Sequence, residues 1–190
     1  LRSEEGKKVL NEEVSIKFAH LPAGYLTCRL LYSKFSHRVD SCMWYFFWGI
    51  AGSVFPDMDY LFLLLLDPLQ EDHHNYFTHY PLFWGMLSLI SLVGLGVRQG
   101  QATVFFFLFA LGGFLHIILD SLINPILWLA PFSSSETSFQ DLLDGVVYPF
   151  WQWFPDWPYL FEVLISVWAI RLFMGQLNRG NLCPDRALAR

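Results

Sequence analysis

The sequence ATVFFFLFALGGFLHIILD, at residues 102–120, is a long apolar run with polar residues at one end. It is long enough to cross the hydrocarbon core of a bilayer, which takes roughly 20 apolar residues in a helix. Its only ionisable residues are His116 and Asp120, and both lie at its C-terminal end. Because residues i and i+4 lie one helical turn apart, both side chains project from one face of the predicted helix. The segment therefore predicts a membrane helix that presents an imidazole and a carboxylate at one end.

Outward from this stretch, other apolar segments are candidates for membrane helices. Residues 80–97 are apolar and of spanning length, and residues 158–174 form the last candidate. Residues 21–33 are shorter and contain Arg29, so they are the weakest candidate. Together with 102–120 and a further segment at 42–66, they predict an all-α integral membrane bundle of about four to five transmembrane helices.

The segment at 42–66 is interrupted by the sequence PDMD, which begins at Pro56. Proline removes a backbone donor and disfavours helix in the residue before it. We therefore expect this helix to end or kink near Phe55, and the two aspartates of PDMD, Asp57 and Asp59, to turn towards a cavity.

The composition supports a membrane protein. The chain has 190 residues, of which 54% are hydrophobic and 15% are charged, whereas a soluble domain carries roughly 25% charged residues. The formal net charge of −5 argues against a nucleic-acid partner, because no basic patch is present to neutralise phosphates. We expect one membrane-embedded domain at 20–174, a polar N-terminal arm at 1–19 and a polar C-terminal tail at 175–190.

Residues 1–19 mix Glu and Lys and lack an apolar core, so we expect the helices themselves, rather than a signal peptide, to direct membrane insertion. The three cysteines, Cys28, Cys42 and Cys183, show no CxxC spacing. The expectation is isolated thiols on or near helices.

The distribution of cations predicts an orientation. If residues 21–33 cross the membrane, one side carries Lys34, Arg38, Arg98, Arg171, Arg179, Arg186 and Arg190. The opposite connections at 56–79 and 120–157 contain no Lys or Arg. The positive-inside rule then makes the Arg-bearing side cytoplasmic. Four cations of the N-terminal arm, at positions 2, 7, 8 and 17, fall on the other side and weaken this prediction.

With this topology, segments far apart in sequence deliver imidazoles and carboxylates to one membrane face. The chain repeatedly crosses and returns, so the ends of the spans and the loop at 67–79 meet at one level. We predict metal ligands at His20, Asp57, His74, His79, His116 and Asp120, with Asp59 or His73 as general base or as a group that orients a ligand. Thr78 is placed to cap the helix that follows.

Simpler interpretations exist for each group. His116 and Asp120 can form an ion pair with each other, although ionisable residues at the end of an apolar helix are costly unless paired or ligated. Asp57 can cap a helix, and His73 can be a solvated loop residue. We expect Glu162 to pair with Arg171 or to lie at the interface, outside the site.

The donor set indicates the class of metal. Imidazole and carboxylate without thiolate suit Zn²⁺, with Mn²⁺ or Fe²⁺ as alternatives, and a set of this size can hold one or two ions. The motif HExxH is absent from the sequence, which makes a metalloprotease of the usual type a poor fit.

These motifs resemble a known family. The elements are HLPAG at His20, GSVFPDMD at 52–59, HNYFTH at 74–79 and HIILD at 116–120. In this order they resemble the small membrane-bound metal-dependent hydrolases associated with SOS-regulated inner-membrane proteins of bacteria. The resemblance covers roughly residues 20 to 125. It implies an inner-membrane protein that hydrolyses its substrate with a divalent metal.

The ligand order is also similar to that of zinc-dependent phospholipases C, which are all-helical. That likeness implies His20, Asp57, His79, His116 and Asp120 as metal ligands, with Asp120 bridging. No histidine follows His116, so the later ligands of those enzymes have no counterpart and one or two ions are expected rather than three.

The function expected from these features is hydrolysis of a phosphoester in a lipid or lipid-linked substrate, on the extracytoplasmic side of a bacterial inner membrane. Membrane lipids and a lipid-like phosphoester are the expected partners. Two alternatives stay open: a metal-ion transporter or sensor, and a structural membrane protein with a stabilising metal.

Overall fold

The chain is described by a computed structural model that covers residues 19–59, 76–122, 124–139, 157–180 and 183–184. Five α-helices lie within these ranges: α1 (His20–Phe35), α2 (Cys42–Val54), α3 (Pro81–Val97), α4 (Gln101–Asp120) and α5 (Trp157–Leu177). Three short 3-10 turns, at Ser36–Arg38, Phe55–Asp57 and Phe77–His79, join or extend them. The same residues contain no strand and one isolated bridge, between Ile126 and Thr137, so the all-α prediction is confirmed.

Within the described parts of the chain, two helices are long and apolar enough to cross a membrane: residues Gln101–Asp120 and Tyr159–Leu177. The helix Pro81–Val97 is apolar but shorter. Helix α1 has 16 residues and α2 has 13, which correspond to lengths of about 24 and 20 Å, below the roughly 30 Å of the hydrocarbon core. A bundle of four to five spans therefore stays a prediction.

The helix boundaries follow local sequence signals. The side chain of Ser41 accepts a hydrogen bond from the Trp44 N–H and caps α2. Helix α2 ends at Val54, and Pro56 lies in the 3-10 turn that follows, which confirms the break expected near Phe55. Helix α5 continues to Leu177, beyond the expected end at residue 174. The N-terminal arm up to residue 18 lies outside the described residues.

Helix α4 is the centre of the described bundle, because it packs against α1, α2 and α3. Its buried face includes Val104 and Leu108, which join a core cluster with Tyr45 of α2 and Leu95 of α3. Helix α5 packs on α1, where the Tyr25 hydroxyl donates a hydrogen bond to the Gln176 side chain. The outer faces of α3 and α5 are lined with exposed Leu, Ile, Val and Phe side chains, as expected for surfaces in contact with lipid tails.

Glycines allow α2 and α4 to approach closely. A Cβ atom added at Gly112 would lie 2.6 Å from the Gly49 carbonyl oxygen and 2.8 Å from the Ser53 nitrogen. A Cβ added at Gly52 would meet the backbone of Phe109. Small residues of this kind let helix backbones come into contact inside a membrane. The spacing between α2 and α4 is therefore set by the absence of side chains at these positions.

A disulfide joins Cys42, at the start of α2, to Cys183 in the C-terminal tail. The expectation of isolated thiols is wrong for this pair and holds for Cys28, which is free and buried. The two bonded cysteines are 141 positions apart in sequence, so no local spacing could have indicated their pairing.

The packing of α2 on α4 leads to a first prediction. The variant Gly112→Ala is expected to lose about 1–3 kcal/mol of unfolding free energy, because the added methyl group meets backbone atoms that have no room to move. The matched control is Gly96→Ala on α3, where an added Cβ meets nothing within 4 Å. This control is expected to be neutral or to gain up to about 1 kcal/mol. Thermal unfolding of both variants in detergent, followed by circular dichroism, tests the difference. Equal stability of the two variants would contradict it.

Candidate metal centre

Four chain segments meet at one end of the bundle. Helix α1 begins with His20, the turn after α2 supplies Asp57, the turn before α3 supplies His79, and α4 ends with His116 and Asp120. These five residues were all predicted as ligands, and the structure brings them together in one cluster.

Four side chains offer ligand atoms to a common centre. One atom each from Asp57, His79, His116 and Asp120 lies within 4.8 Å of all the others. His116 Nε2 is 3.1 Å from Asp120 Oδ2 and 3.3 Å from Asp57 Oδ1. His79 Nε2 is 3.6 Å from Asp120 Oδ2 and 3.9 Å from Asp57 Oδ1. Two atoms bound to one ion by bonds of about 2.0–2.1 Å at a tetrahedral angle lie about 3.3–3.4 Å apart. The spacing of the four side chains fits a divalent ion.

A backbone carbonyl of α2 sets the orientation of the His116 imidazole. Its Nδ1 lies 2.8 Å from the Ser53 carbonyl oxygen. A carbonyl only accepts hydrogen bonds, so Nδ1 carries the proton and, in the neutral imidazole, Nε2 carries the lone pair. That Nε2 atom is buried and forms no well-aligned hydrogen bond, while it faces two carboxylates. A lone pair in this position is stabilised by a cation.

The orientation of His79 is set by a carboxylate. Its Nδ1 lies 2.6 Å from Asp59 Oδ2, and the Thr78 hydroxyl donates to the same carboxylate oxygen. The Trp84 indole N–H donates to the Thr78 carbonyl oxygen at 2.6 Å. Asp59 thus lies behind the imidazole, where a carboxylate commonly fixes the tautomer of a metal-ligating histidine. Thr78 contacts Asp59 rather than capping α3, whose first turn has no side-chain cap.

His20 approaches Asp120 from the other side. Its Nε2 is 3.2 Å from Asp120 Oδ1, whereas Asp120 Oδ2 faces His116 and His79. The ring of His20 stacks on that of His116 with centroids 3.9 Å apart. The two oxygens of Asp120 therefore face different imidazoles, so this carboxylate has the geometry to serve two neighbouring positions.

The cluster is buried except at one edge. The side chains of His79 and His116 are fully buried and that of Asp120 is 1% exposed, whereas the Asp57 side chain is 42% exposed. Burial acts to lower the pKa of His79, but its hydrogen bonds with Asp120 and Asp59 outweigh burial and raise it above 6.5. Burial acts to raise the pKa of Asp57, but the neighbouring His116 outweighs it and lowers the pKa below its ordinary value. Both shifts describe the site without a metal.

The remaining residues of interest divide into those that were predicted and those that were not. His73 and His74, predicted as base and ligand, lie outside the described residues. Glu162 is buried on α5, outside the four-residue ligand group. The sequence reasoning missed Ser53, whose carbonyl oxygen orients His116, and Trp84. No sequence signal identifies a backbone carbonyl as a hydrogen-bond partner. Trp84 follows His79 by only five residues, so its closeness to the HNYFTH motif could have indicated a supporting role.

The comparison with protein families bears on this arrangement. The model of the YdjM inner membrane protein family matches residues 16–181, which include every residue of the cluster. The chain belongs to the YdjM inner membrane protein family. The expected inner-membrane class is thereby confirmed, and the matched range extends beyond the expected 20 to 125. No curated protein and no solved structure matches the chain. The match names a membrane protein family and is silent on hydrolysis and on the likeness to phospholipase C.

Asp59 provides a test of the arrangement behind His79. The variant Asp59→Asn is expected to bind Zn²⁺ about 10–100-fold more weakly, because a neutral amide supports the imidazole less well than a carboxylate does. Titration of detergent-purified protein against a chelator of known affinity measures the change. The control is Asp40→Asn, since Asp40 is exposed and lies at the other end of α2. Unchanged affinity in Asp59→Asn would contradict the role of Asp59.

The raised pKa of His79 gives a further prediction. A proton on His79 must leave before the imidazole can bind a metal, and the raised pKa keeps that proton in place up to a higher pH than for free imidazole. The affinity for Zn²⁺ is therefore expected to fall as pH decreases from about 8 to 6, by up to about tenfold per pH unit for each proton displaced. Calorimetry in buffers of different ionisation enthalpy measures the protons released. An affinity independent of pH in this range would contradict the prediction.

Proposed function

We propose that this chain is a membrane-bound metal-dependent hydrolase that acts on a phosphoester. The observation that supports the proposal is the arrangement of His79 and His116. The Nδ1 atom of each imidazole faces a hydrogen-bond acceptor. Asp59 engages one and the Ser53 carbonyl the other. Their Nε2 atoms are thereby directed at the same two carboxylates.

A metal accounts for this arrangement better than ion pairing alone. The buried carboxylate of Asp120 and the partly exposed carboxylate of Asp57 repel each other, and burial removes much of the water that would screen Asp120. Protonated histidines would relieve the repulsion, but the second proton of His116 would lie at Nε2, which forms no well-aligned hydrogen bond. A divalent cation is held by the lone pairs of both imidazoles and by both carboxylates. The proposed ligands are Asp57, His79, His116 and Asp120, with His20 on the second oxygen of Asp120.

The donor set selects the metal class. The four grouped ligands are imidazole and carboxylate, without sulfur. This set suits Zn²⁺ first and Mn²⁺ or Fe²⁺ next. One ion fits the four-residue group, and a second would use His20 together with Asp120 and the predicted ligand His74.

The open edge at Asp57 favours catalysis over a purely structural metal. A structural site is closed by protein ligands, whereas a catalytic site keeps a position for water or substrate. A divalent metal supplies the acidity that lowers the pKa of water to about 7 and the charge that stabilises phosphate oxygens. Asp59 holds His79 in place and is therefore assigned as a positioning residue, and His73 is the proposed general base.

The substrate class follows from location. The cluster lies at the ends of α1 and α4, in a protein of the inner-membrane family whose helices expose apolar faces. A helix of the length of α4 that crosses a membrane has its C-terminal end, and with it the exposed edge at Asp57, near the lipid headgroups. A phosphoester in a lipid or lipid-linked molecule is therefore the proposed substrate.

The alternative of a metal transporter fits less well. The ligands converge at one end of the described helices. Beyond Trp84 near its first turn, the only polar side chains of α3 are the hydroxyls of Ser88 and Ser91. A transport path needs ionisable or polar groups along the membrane depth. Flux of Zn²⁺ or Mn²⁺ into proteoliposomes is the measurement that distinguishes transport from hydrolysis.

Metal content tests the proposal first. Elemental analysis of detergent-purified protein is expected to find one or two Zn, Mn or Fe ions per chain. The variant His116→Ala is expected to lose at least one ion, because it removes a lone pair from the centre of the cluster. The matched control is His37→Ala, since His37 is exposed in the turn after α1 and lies apart from the cluster. This control is expected to keep its metal.

Activity is tested next with metal-loaded protein on a chromogenic phosphodiester, a chromogenic phosphomonoester and phospholipid vesicles. Hydrolysis that disappears with a chelator, returns with Zn²⁺ or Mn²⁺ and is lost in a His116→Ala/Asp120→Ala double variant supports the proposal. Metal loss in the variant without hydrolysis of any substrate by the parent would leave a metal protein and contradict the hydrolase. No bound metal in the parent, even after added Zn²⁺ or Mn²⁺, would contradict both.

A further inference from the structure

The disulfide and the metal centre lie at opposite ends of the same helices. Helix α2 begins at the bonded Cys42, and Asp57 follows its end, a distance of about 22 Å along a helix. Helix α4 runs in the opposite sense, from Gln101 to Asp120. We call the end with the ligands the metal face and the end with Cys42 and Cys183 the disulfide face.

Side-chain contacts join the disulfide face into one surface. The Arg38 guanidinium, four residues before Cys42, donates to the Arg98 carbonyl at 2.6 Å and to the Leu95 carbonyl at 3.2 Å. The backbone N–H of Asp40 donates to the Gln101 side chain. The starts of α2 and α4 and the end of α3 therefore lie together at this face, and the same three helices reach the metal face with their other ends.

The two faces lie in different compartments if α4 crosses the membrane. Its 20 residues extend over about 30 Å, the thickness of the hydrocarbon core. The family is one of the inner membrane, which separates a reducing cytoplasm from an oxidising periplasm. Structural disulfides form and persist in the periplasm and are rare in the cytoplasm, where thiols are kept reduced.

We infer that the disulfide face is periplasmic and that the metal face opens to the cytoplasm. The Cys42–Cys183 bond is formed by oxidants of the periplasm and ties the C-terminal tail to α2. Cys28 is fully buried between the helices and stays a thiol.

This orientation is the reverse of the one predicted from charge. The sequence places seven cations on the disulfide face and four, all in the N-terminal arm, on the metal face. Arg171 is one of the seven and lies within α5 rather than in a loop, and Arg38 is engaged with carbonyl groups. The positive-inside rule describes a statistical bias in where cations lie, whereas a structural disulfide requires an oxidising compartment.

The inferred orientation does not depend on the proposed function. Only its consequence for the substrate rests on that function. A metal face in the cytoplasm would act on phosphoesters of the inner leaflet or on phosphoesters dissolved in the cytoplasm. Inverted membrane vesicles would hydrolyse an added substrate, and right-side-out vesicles would not. Hydrolysis of phospholipids in the vesicle membrane would indicate a substrate of the inner leaflet. Hydrolysis of a soluble chromogenic phosphodiester would indicate a dissolved substrate.

Cysteine labelling in spheroplasts tests the orientation without any assay of activity. A membrane-impermeant maleimide carrying a polyethylene glycol chain is added before and after the impermeant reductant tris(carboxyethyl)phosphine. The unsubstituted protein is expected to show no shift on a gel before reduction and two labels per chain after it. Cys28 is fully buried and is expected to add none.

A matched pair of reporters confirms the side on which each face lies. In a Cys28→Ser/Cys42→Ser/Cys183→Ser background, Gln99→Cys reports the turn on the disulfide face, and Ser135→Cys reports an exposed loop on the metal face. That loop is held near Asp120 by the bond from the Phe139 N–H to the Ser121 carbonyl. Gln99→Cys is expected to react in intact spheroplasts, and Ser135→Cys only after permeabilisation.

Three outcomes would overturn the inference. Labelling of Cys42 and Cys183 without reductant would show free thiols at the surface. Labelling only after permeabilisation would place the disulfide face in the cytoplasm. Ser135→Cys reacting in intact spheroplasts would place the metal face in the periplasm. If the triple-serine background fails to accumulate, the reduction-dependent labelling of the unsubstituted protein decides alone.

Discussion

The structure depends on the close contact between α2 and α4. Gly52 on α2 and Gly112 on α4 lack the side chains that would otherwise separate the two backbones. This contact brings the Ser53 carbonyl oxygen to within 2.8 Å of His116 Nδ1, although the two residues are 63 positions apart in the chain. The packing of these two helices therefore also fixes the tautomer of the central histidine.

A second set of contacts positions the opposite histidine by different means. The Asp59 carboxylate faces His79 Nδ1, and the Thr78 hydroxyl donates a hydrogen bond to the same carboxylate. The Trp84 indole N–H on α3 donates to the Thr78 carbonyl oxygen. Both imidazoles are therefore fixed from behind before any ion binds. Fixed imidazoles reduce the reorganisation that metal binding would require, and the carboxylates of Asp57 and Asp120 supply the charge. The cost of burying Asp120 next to a second carboxylate is the physical reason to expect a cation between them.

The length of α4 links this site to the rest of the protein. One helix of 20 residues carries His116 and Asp120 at one end and contacts the surroundings of the disulfide at the other. The proposed metal centre and the disulfide therefore lie at opposite ends of the bundle, about 22 Å apart along α2. The exposed apolar faces of α3 and α5 need no further partner in a membrane, because lipid tails cover them.

Local sequence patterns are enough to predict the helices, the break at Pro56 and the His and Asp residues from which the centre is built. These patterns are apolar runs, a residue without a backbone donor, and an i, i+4 pair at a helix end. The groups that hold the predicted ligands in place follow only from tertiary contacts. The Ser53 carbonyl is a backbone atom without a compositional signal, Asp59 meets His79 across a segment of 20 residues, and Cys42 meets Cys183 across 141. Such pairs depend on how closely the helices approach, and that distance is set by packing rather than by local periodicity.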